Sequence, residues 1–271
     1  MNNTIRISVR NLVEFVLRSG DIDNSFMSMN RAVEGTLAHQ KVQASYGHEY
    51  KAEVYLKHDI EYGKYTILIE GRADGIFTSE DEIIIDEIKS TTKDLEYIEE
   101  DYNPLHWAQA KIYGYIYATQ NNLERLKIQL TYFHIESEET KKFLVTFTKD
   151  ELDEFFFKII DMYIEWANLT FDWGEIRDKT IKELKFPFAR YRRGQRELAV
   201  AAYTTIKEGK HIFAQAPTGI GKTMSTLYPS IKSIGEGLTN KIFYLTAKTI
   251  TREVPKATME LLIDKGLRTK A

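Results

Sequence analysis

The sequence predicts an α/β chain, with a mixed sheet flanked by helices followed by the first part of a second, parallel α/β unit. Three observations carry this. From Tyr50 to Lys89 apolar and polar residues alternate with a period of two, the pattern of half-buried strands. Around that region, apolar residues recur at helical spacing, as in Val9, Leu12, Val13, Val16 and Leu17. Further on, a glycine loop from Ala216 to Thr223 stands between a β-branched run and a helical one, which is the start of a parallel β-α-β arrangement.

The elements follow in order. Ser8 caps a helix that ends near Gly20. A second helix over about residues 30–44 carries Glu34, Gly35, His39 and Gln43; the last three recur at i, i+4 and i+8 and share a face. Strands come next, with short loops that favour an antiparallel meander and leave room for parallel crossovers. Pro104 at a first-turn position behind Asn103 opens a helix whose core side is Leu105, Ala108, Ile112 and Ile116, with Gln109 and Tyr113 on a neighbouring face. Alternating runs at Leu126–Tyr132 and Phe143–Phe147 precede a capping box, Thr148-Lys-Asp-Glu151, and a long helix with Leu152, Phe155, Phe156, Ile159, Ile160 and Tyr163 on one side. Near 175–185 the pattern loosens and turns basic and aromatic, which divides the chain into domains 1–175 and 176–271. The second domain reads as helix (195–207), strand (His211–Gln215), glycine loop, helix (Lys222–Ser233), strand (Lys241–Thr246) and helix (250–265).

Composition narrows the function. With 37 basic against 40 acidic residues, a net charge of −3 excludes a globally basic nucleic-acid wrapper and leaves a local basic groove open. The absence of cysteine excludes disulfides, thiolate zinc sites and cysteine-ligated iron–sulfur clusters. No stretch approaches the ~20 apolar residues of a membrane span, and no signal-peptide run opens the chain, so a cytoplasmic protein is expected.

The acids concentrate in two strands, Ile67–Gly75 and Glu82–Ser90, joined by a polar turn at Thr78–Asp81. Strand alternation puts Glu87 and Lys89 on one face, with Asp86 and Ile88 on the other. Asp74, Glu87 and Lys89 would then converge as two carboxylates and an ammonium, the set a divalent-metal phosphodiesterase needs. Asp86, facing away from Lys89, is rejected as a ligand.

The order Gly35…His39, Gly71-Arg-Ala-Asp74, Asp86-Glu87-Ile-Lys89 and Gln109-x-x-x-Tyr113 resembles the RecB-like branch of the PD-(D/E)XK nucleases over about residues 30–120. The resemblance implies a restriction-endonuclease-like fold. It also implies Asp74 and Glu87 as metal carboxylates, His39 as a third ligand, Lys89 orienting the attacking water, and Gln109 and Tyr113 positioning the substrate strand or the lysine; Glu34 is a weaker further acid. Hard oxygen ligands with one imidazole imply Mg²⁺ or Mn²⁺. DNA is the implied partner, as single strands or strand ends gripped through phosphates. Glu87 departs from the aspartate frequent in RecB-like members. A non-cleaving DNA-binding module of the same fold is the alternative.

The loop Ala216-Pro-Thr218-Gly219-Ile-Gly221-Lys222-Thr223 resembles that of superfamily 2 helicases. Tyr191-Arg-Arg-Gly-Gln195 and Tyr244-Leu-Thr-Ala-Lys-Thr249 resemble the adenine-reading and first DNA-contacting segments of DinG-type (Rad3-related) members. This implies a partial RecA-like P-loop domain that binds ATP through Gln195, Thr218, Gly219, Gly221, Lys222 and Thr223. No Asp-Glu-x-His box follows in this chain, so helicase activity is not expected from it alone.

Overall fold

The computed structural model describes residues 4–19, 29–79 and 82–269, without the side chains of residues 29–32. It divides into two compact units, residues 2–167 and 168–271.

The first unit is a six-stranded mixed sheet with helices packed against it. Its strands are β1 (Thr4–Ser8), β2 (Tyr50–Tyr62), β3 (Tyr65–Thr78), β4 (Ile83–Thr91), β5 (Arg125–His134) and β6 (Thr140–Thr148). Its helices are α1 (Val9–Leu17), α2 (Met29–Ala44), α3 (Pro104–Asn121) and α4 (Lys149–Glu183), the last continuing past residue 167. The meander expected at β2–β3–β4 forms, with both pairs antiparallel. β4 and β5 pair in parallel across the α3 crossover.

β1 was not legible in the sequence; it pairs in parallel with Thr66–Glu70 of β3. That pairing shapes the site. β2 covers one edge of β3 along nearly its whole length, so β1 and β4 must share the other edge. β4 is bridged to β3 only through Gly75–Thr78 and then departs, which leaves a fork at Gly71–Asp74.

Local chemistry fixes the helix starts. Ser8 Oγ accepts from Asn11 N at 3.1 Å, and Asn103 Oδ1 accepts from Leu105 N at 3.0 Å behind Pro104. The capping box closes both ways: Thr148 N donates to Glu151 Oε2 at 2.8 Å and Glu151 N to Thr148 Oγ1 at 3.3 Å. A cap of this kind contributes about 1 kcal/mol. The core fills with Ile67, Ile69, Ile85, Ile128, Ile112 and Phe156, all essentially inaccessible. On the face of β4 that carries Ile88, Ala38 and Val42 of α2 pack beside Phe133. The middle of the expected polar turn, Glu80 and Asp81, and the expected helix stop at Gly20 lie outside the described residues.

The second unit holds the last part of α4, then α5 (Gln195–Lys207), α6 (Lys222–Gly235) and α7 (Glu253–Asp264). Ile181, Leu184, Met224, Ile231, Leu262 and Leu267 form its core. Lys232 Nζ on α6 donates to the carbonyls of Ile181, Lys182 and Leu184 at 2.6, 3.0 and 3.1 Å, satisfying acceptors that the end of α4 leaves open.

Here the structure departs from the sequence reading in two ways. Residues 175–183, within the expected boundary, continue α4 as helix. The segments His211–Gln215 and Lys241–Thr246, expected as strands, are not strands and pair with nothing among the described residues. Phe213 is 100% exposed, Phe243 83% and Leu245 89%. A parallel strand takes its hydrogen bonds entirely from neighbours delivered by crossovers, and β-propensity cannot replace a missing ladder. The expected RecA-like sheet is therefore not seen among the described residues, although the helices expected around it are.

Candidate active site

At the fork, β3 delivers Asp74 to the place where β4 leaves. Asp74 Oδ2 accepts from Ile88 N at 2.7 Å, so a side-chain carboxylate replaces the ladder carbonyl that β3 no longer offers. Its Oδ1 lies 3.2 Å from His39 Nδ1 on α2. One turn further along α2, Gln43 Nε2 donates to the Asp74 carbonyl at 2.9 Å and to Glu53 Oε1 at 3.3 Å. The shared face expected for Gly35, His39 and Gln43 is turned to this spot, and a Cβ on Gly35 would sit 3.5 Å from Ser90 Oγ.

From β4, Glu87 and Lys89 project together, with Lys89 Nζ 2.5 Å from Glu87 Oε1. Glu87 is wholly inaccessible, and its Oε2 has no hydrogen-bond partner among the described residues. Burial pushes its carboxyl up to about 7, against the opposing pull of Lys89. Burial acts to lower Lys89, yet Glu87 and Asp74 outweigh it and hold the ammonium above its usual range. For His39 too, burial is outweighed, by the hydrogen bond and charge of Asp74, and its pKa is raised.

Asp86 points the other way, as alternation requires. It is buried, and its Oδ1 accepts from Thr131 Oγ1 at 2.6 Å and Gln129 Nε2 at 3.0 Å in a separate network. Tyr113 of α3 approaches β3 so closely that a Cβ on Gly71 would stand 2.5 Å from its hydroxyl oxygen. Burial first, then Glu87 and Asp74, drive that hydroxyl's pKa upward, with Gln109 hydrogen-bonding to it in opposition. Gln109, His39, Lys89 and the exposed Glu34 line one groove of about 940 Å³, with Arg10 of α1 also on its wall.

His106 and Glu53 are among the groove residues that the sequence did not single out. His106 precedes Gln109 by three on α3, a spacing that signals a shared face. Its Nδ1 meets Tyr132 Oη at 2.9 Å and its Nε2 meets Asn103 Nδ2 at 3.1 Å. Burial, reinforced by Lys89, pushes it down to about 3, so it stays a neutral imidazole. Glu53 gives no signal in the sequence, because what brings it into the groove is a backbone angle.

The residues fit a divalent cation in chemistry: two carboxylates and an imidazole meet beside an orphaned, buried Glu87 oxygen. Among the described residues no three His, Asp or Glu side chains stand close enough to hold an ion as they are. Lys89 engages one oxygen of Glu87, and His39 lies against one oxygen of Asp74.

In the second unit, Gly219 and Gly221 adopt left-handed φ values of 86° and 85°, which suit glycine. Gly221 precedes α6 with no side-chain cap, so the helix's first N–H groups face the loop. Lys222 Nζ folds onto the carbonyls of Ala216 and Pro217 at 2.9 and 3.2 Å. Gln195, 2% exposed, accepts from Arg192 N through Oε1 at 2.9 Å, and its Nε2 fills the space a Cβ on Gly221 would need. Arg192 Nη1 donates to Gly219 O at 2.5 Å. Gln195, Gly219, Gly221 and Lys222 are thus drawn together, with Thr223 in the first turn of α6 and Thr218 exposed on the loop.

No protein-family model matches the chain. Over 51 residues it is 39% identical to a probable ATP-dependent helicase, MJ0942, of Methanocaldococcus jannaschii, which is 19% of this chain and 8% of that protein. The chain therefore matches under a tenth of that relative's length. A solved structure titled "Crystal structure of SSO0001" superposes with a TM-score of 0.40 at 20% identity, over 60% of this chain and 77% of that one. The chain is an α/β protein with partial similarity to an archaeal helicase, and no helix among its described residues is long and apolar enough to cross a membrane.

Proposed function

We propose that residues 2–167 form a divalent-metal-dependent deoxyribonuclease, attached to an ATP-binding segment of helicase type. The observation that carries this is the meeting of Asp74, Glu87, Lys89 and His39 where β4 leaves β3, beside a groove open to solvent.

Asp74 and Glu87 would hold Mg²⁺ or Mn²⁺ with His39 as the nitrogen ligand. A bound ion there supplies water of lowered pKa and neutralises charge on the scissile phosphate. Lys89, released from Glu87, orients the attacking water and stabilises the charge that grows on the phosphate oxygens. Gln109, on the groove wall, and Tyr113, buried against Gly71, position the substrate strand or Lys89. Lys89 and Arg10, the latter paired with Glu14, present cations to the phosphate backbone, a contact that carries no sequence information. The glycine loop holds nucleotide phosphates through the N–H groups of α6, with Lys222 moving from its own loop carbonyls to the phosphates.

The test is cleavage of end-labelled single-stranded DNA with Mn²⁺, Mg²⁺ or EDTA, run beside Lys89→Ala and Asp74→Asn. Metal-dependent cutting should fall by at least ~100-fold in both variants. A wild-type protein that binds DNA and cuts it under no metal leaves the non-cleaving DNA-binding module in its place.

A further inference from the structure

β2 breaks its own geometry at one residue facing the site. Glu53 lies mid-strand at φ 54°, in the left-handed region that disfavours a side chain. The register pairs Ala52 with Gly75 and Val54 with Ala73, so Glu53 faces Asp74 with the ladder interrupted between them. Glu53 lines the same groove as His39 and Lys89, and Gln43 ties its Oε1 at 3.3 Å to the backbone of Asp74. It is exposed, so neither packing nor burial accounts for a strained conformation. Strain of this kind persists where surrounding structure enforces it, and it clusters at functional sites. Independently, Glu87 is fully buried at the other side of the site, its Oε2 without a hydrogen-bond partner among the described residues.

We propose that Glu53 is a further carboxylate ligand of the site, turned off the β2 edge by its left-handed backbone to hold the groove side of the divalent cation opposite Asp74. This rests on the metal-dependent reading above. With Glu53 included, the donors come from β2, β3, β4 and α2. An oxygen-rich set of this kind suits a hard divalent ion.

The test is Mn²⁺ binding by the full chain, followed through the electron paramagnetic resonance signal of the free ion, with no DNA present. Wild type is compared with Asp74→Asn, Glu53→Gln and Glu53→Gly, and thermal unfolding is recorded without metal. Asp74→Asn should lose binding. Both Glu53 variants should bind roughly tenfold more weakly or worse. Glu53→Gly should unfold at an equal or higher temperature than wild type, since glycine relieves the strained φ; weaker binding by a protein no less stable separates ligation from fold support. Wild-type affinity in both Glu53 variants, with Asp74→Asn defective, overturns the proposal and leaves the nuclease reading standing. No Mn²⁺ binding by wild type, or undiminished binding by Asp74→Asn, overturns both.

Discussion

Two titratable groups of the site pull stability in opposite directions with pH, and each can be silenced separately. His106 titrates near 3 in the folded protein, held down by burial and then by Lys89, against 6.5 in the unfolded chain. Between those values the unfolded chain takes a proton that the folded one refuses, so stability falls as pH drops below 6.5. From pH 7 to pH 5 the loss is about 2 kcal/mol. Glu87 behaves inversely. Burial raises it to about 7 from 4.5, so in that window the folded protein keeps a proton the unfolded chain releases, and stability falls as pH rises. Going from pH 7 to pH 5 it gains about 2 kcal/mol. The two nearly cancel in the wild type. His106→Gln should leave the Glu87 gain, making the variant relatively more stable at pH 5 than at pH 7 by about 2 kcal/mol; Glu87→Gln should show the reverse. Urea unfolding in EDTA at both pH values measures this, with each variant's pH difference read against the wild type's so that loss of a packing contact drops out. If either variant keeps the wild-type difference, that group does not titrate as its surroundings dictate.

Two further outcomes are expected. Gly71→Ala should cost about 1–3 kcal/mol because its Cβ meets the Tyr113 hydroxyl, and combining it with Tyr113→Phe should cost less than the sum of the single changes in urea unfolding. Gly221→Ala, strained at φ 85° and meeting Gln195 Nε2, should weaken binding of a fluorescent ATP analogue by at least roughly tenfold, about 1.4 kcal/mol; unchanged affinity would remove the loop from the nucleotide site.

The parts of the fold visible in the sequence were those written in local chemistry. Asn103 before Pro104, Thr148 with Glu151, and the alternation at Leu126–Tyr132 each name their structure within a few residues. The convergence of Asp74, Glu87 and Lys89 was legible for the same reason, since side-chain direction along a strand follows from counting. β1 was hidden because five residues give little periodicity and its partner is about sixty positions away. The segments 211–215 and 241–246 read as strands because propensity reports only what a segment could pair with. Glu53 was unreadable, since nothing in Lys-Ala-Glu-Val-Tyr announces a positive φ.

The hydrogen bond from Ile88 N to Asp74 ties architecture and chemistry to one side chain. Asparagine could keep that acceptor and alanine could not, so Asp74→Asn separates the two roles where Asp74→Ala confuses them. The same logic bears on descent. A lineage that abandoned cleavage would still be under pressure to retain an acceptor at position 74, whereas Glu87 and Lys89, hydrogen-bonded to each other, could be replaced only together without stranding a buried charge. Among homologues, persistence of the Glu87–Lys89 pair would therefore be a better witness to a living enzyme than persistence of an acceptor at position 74.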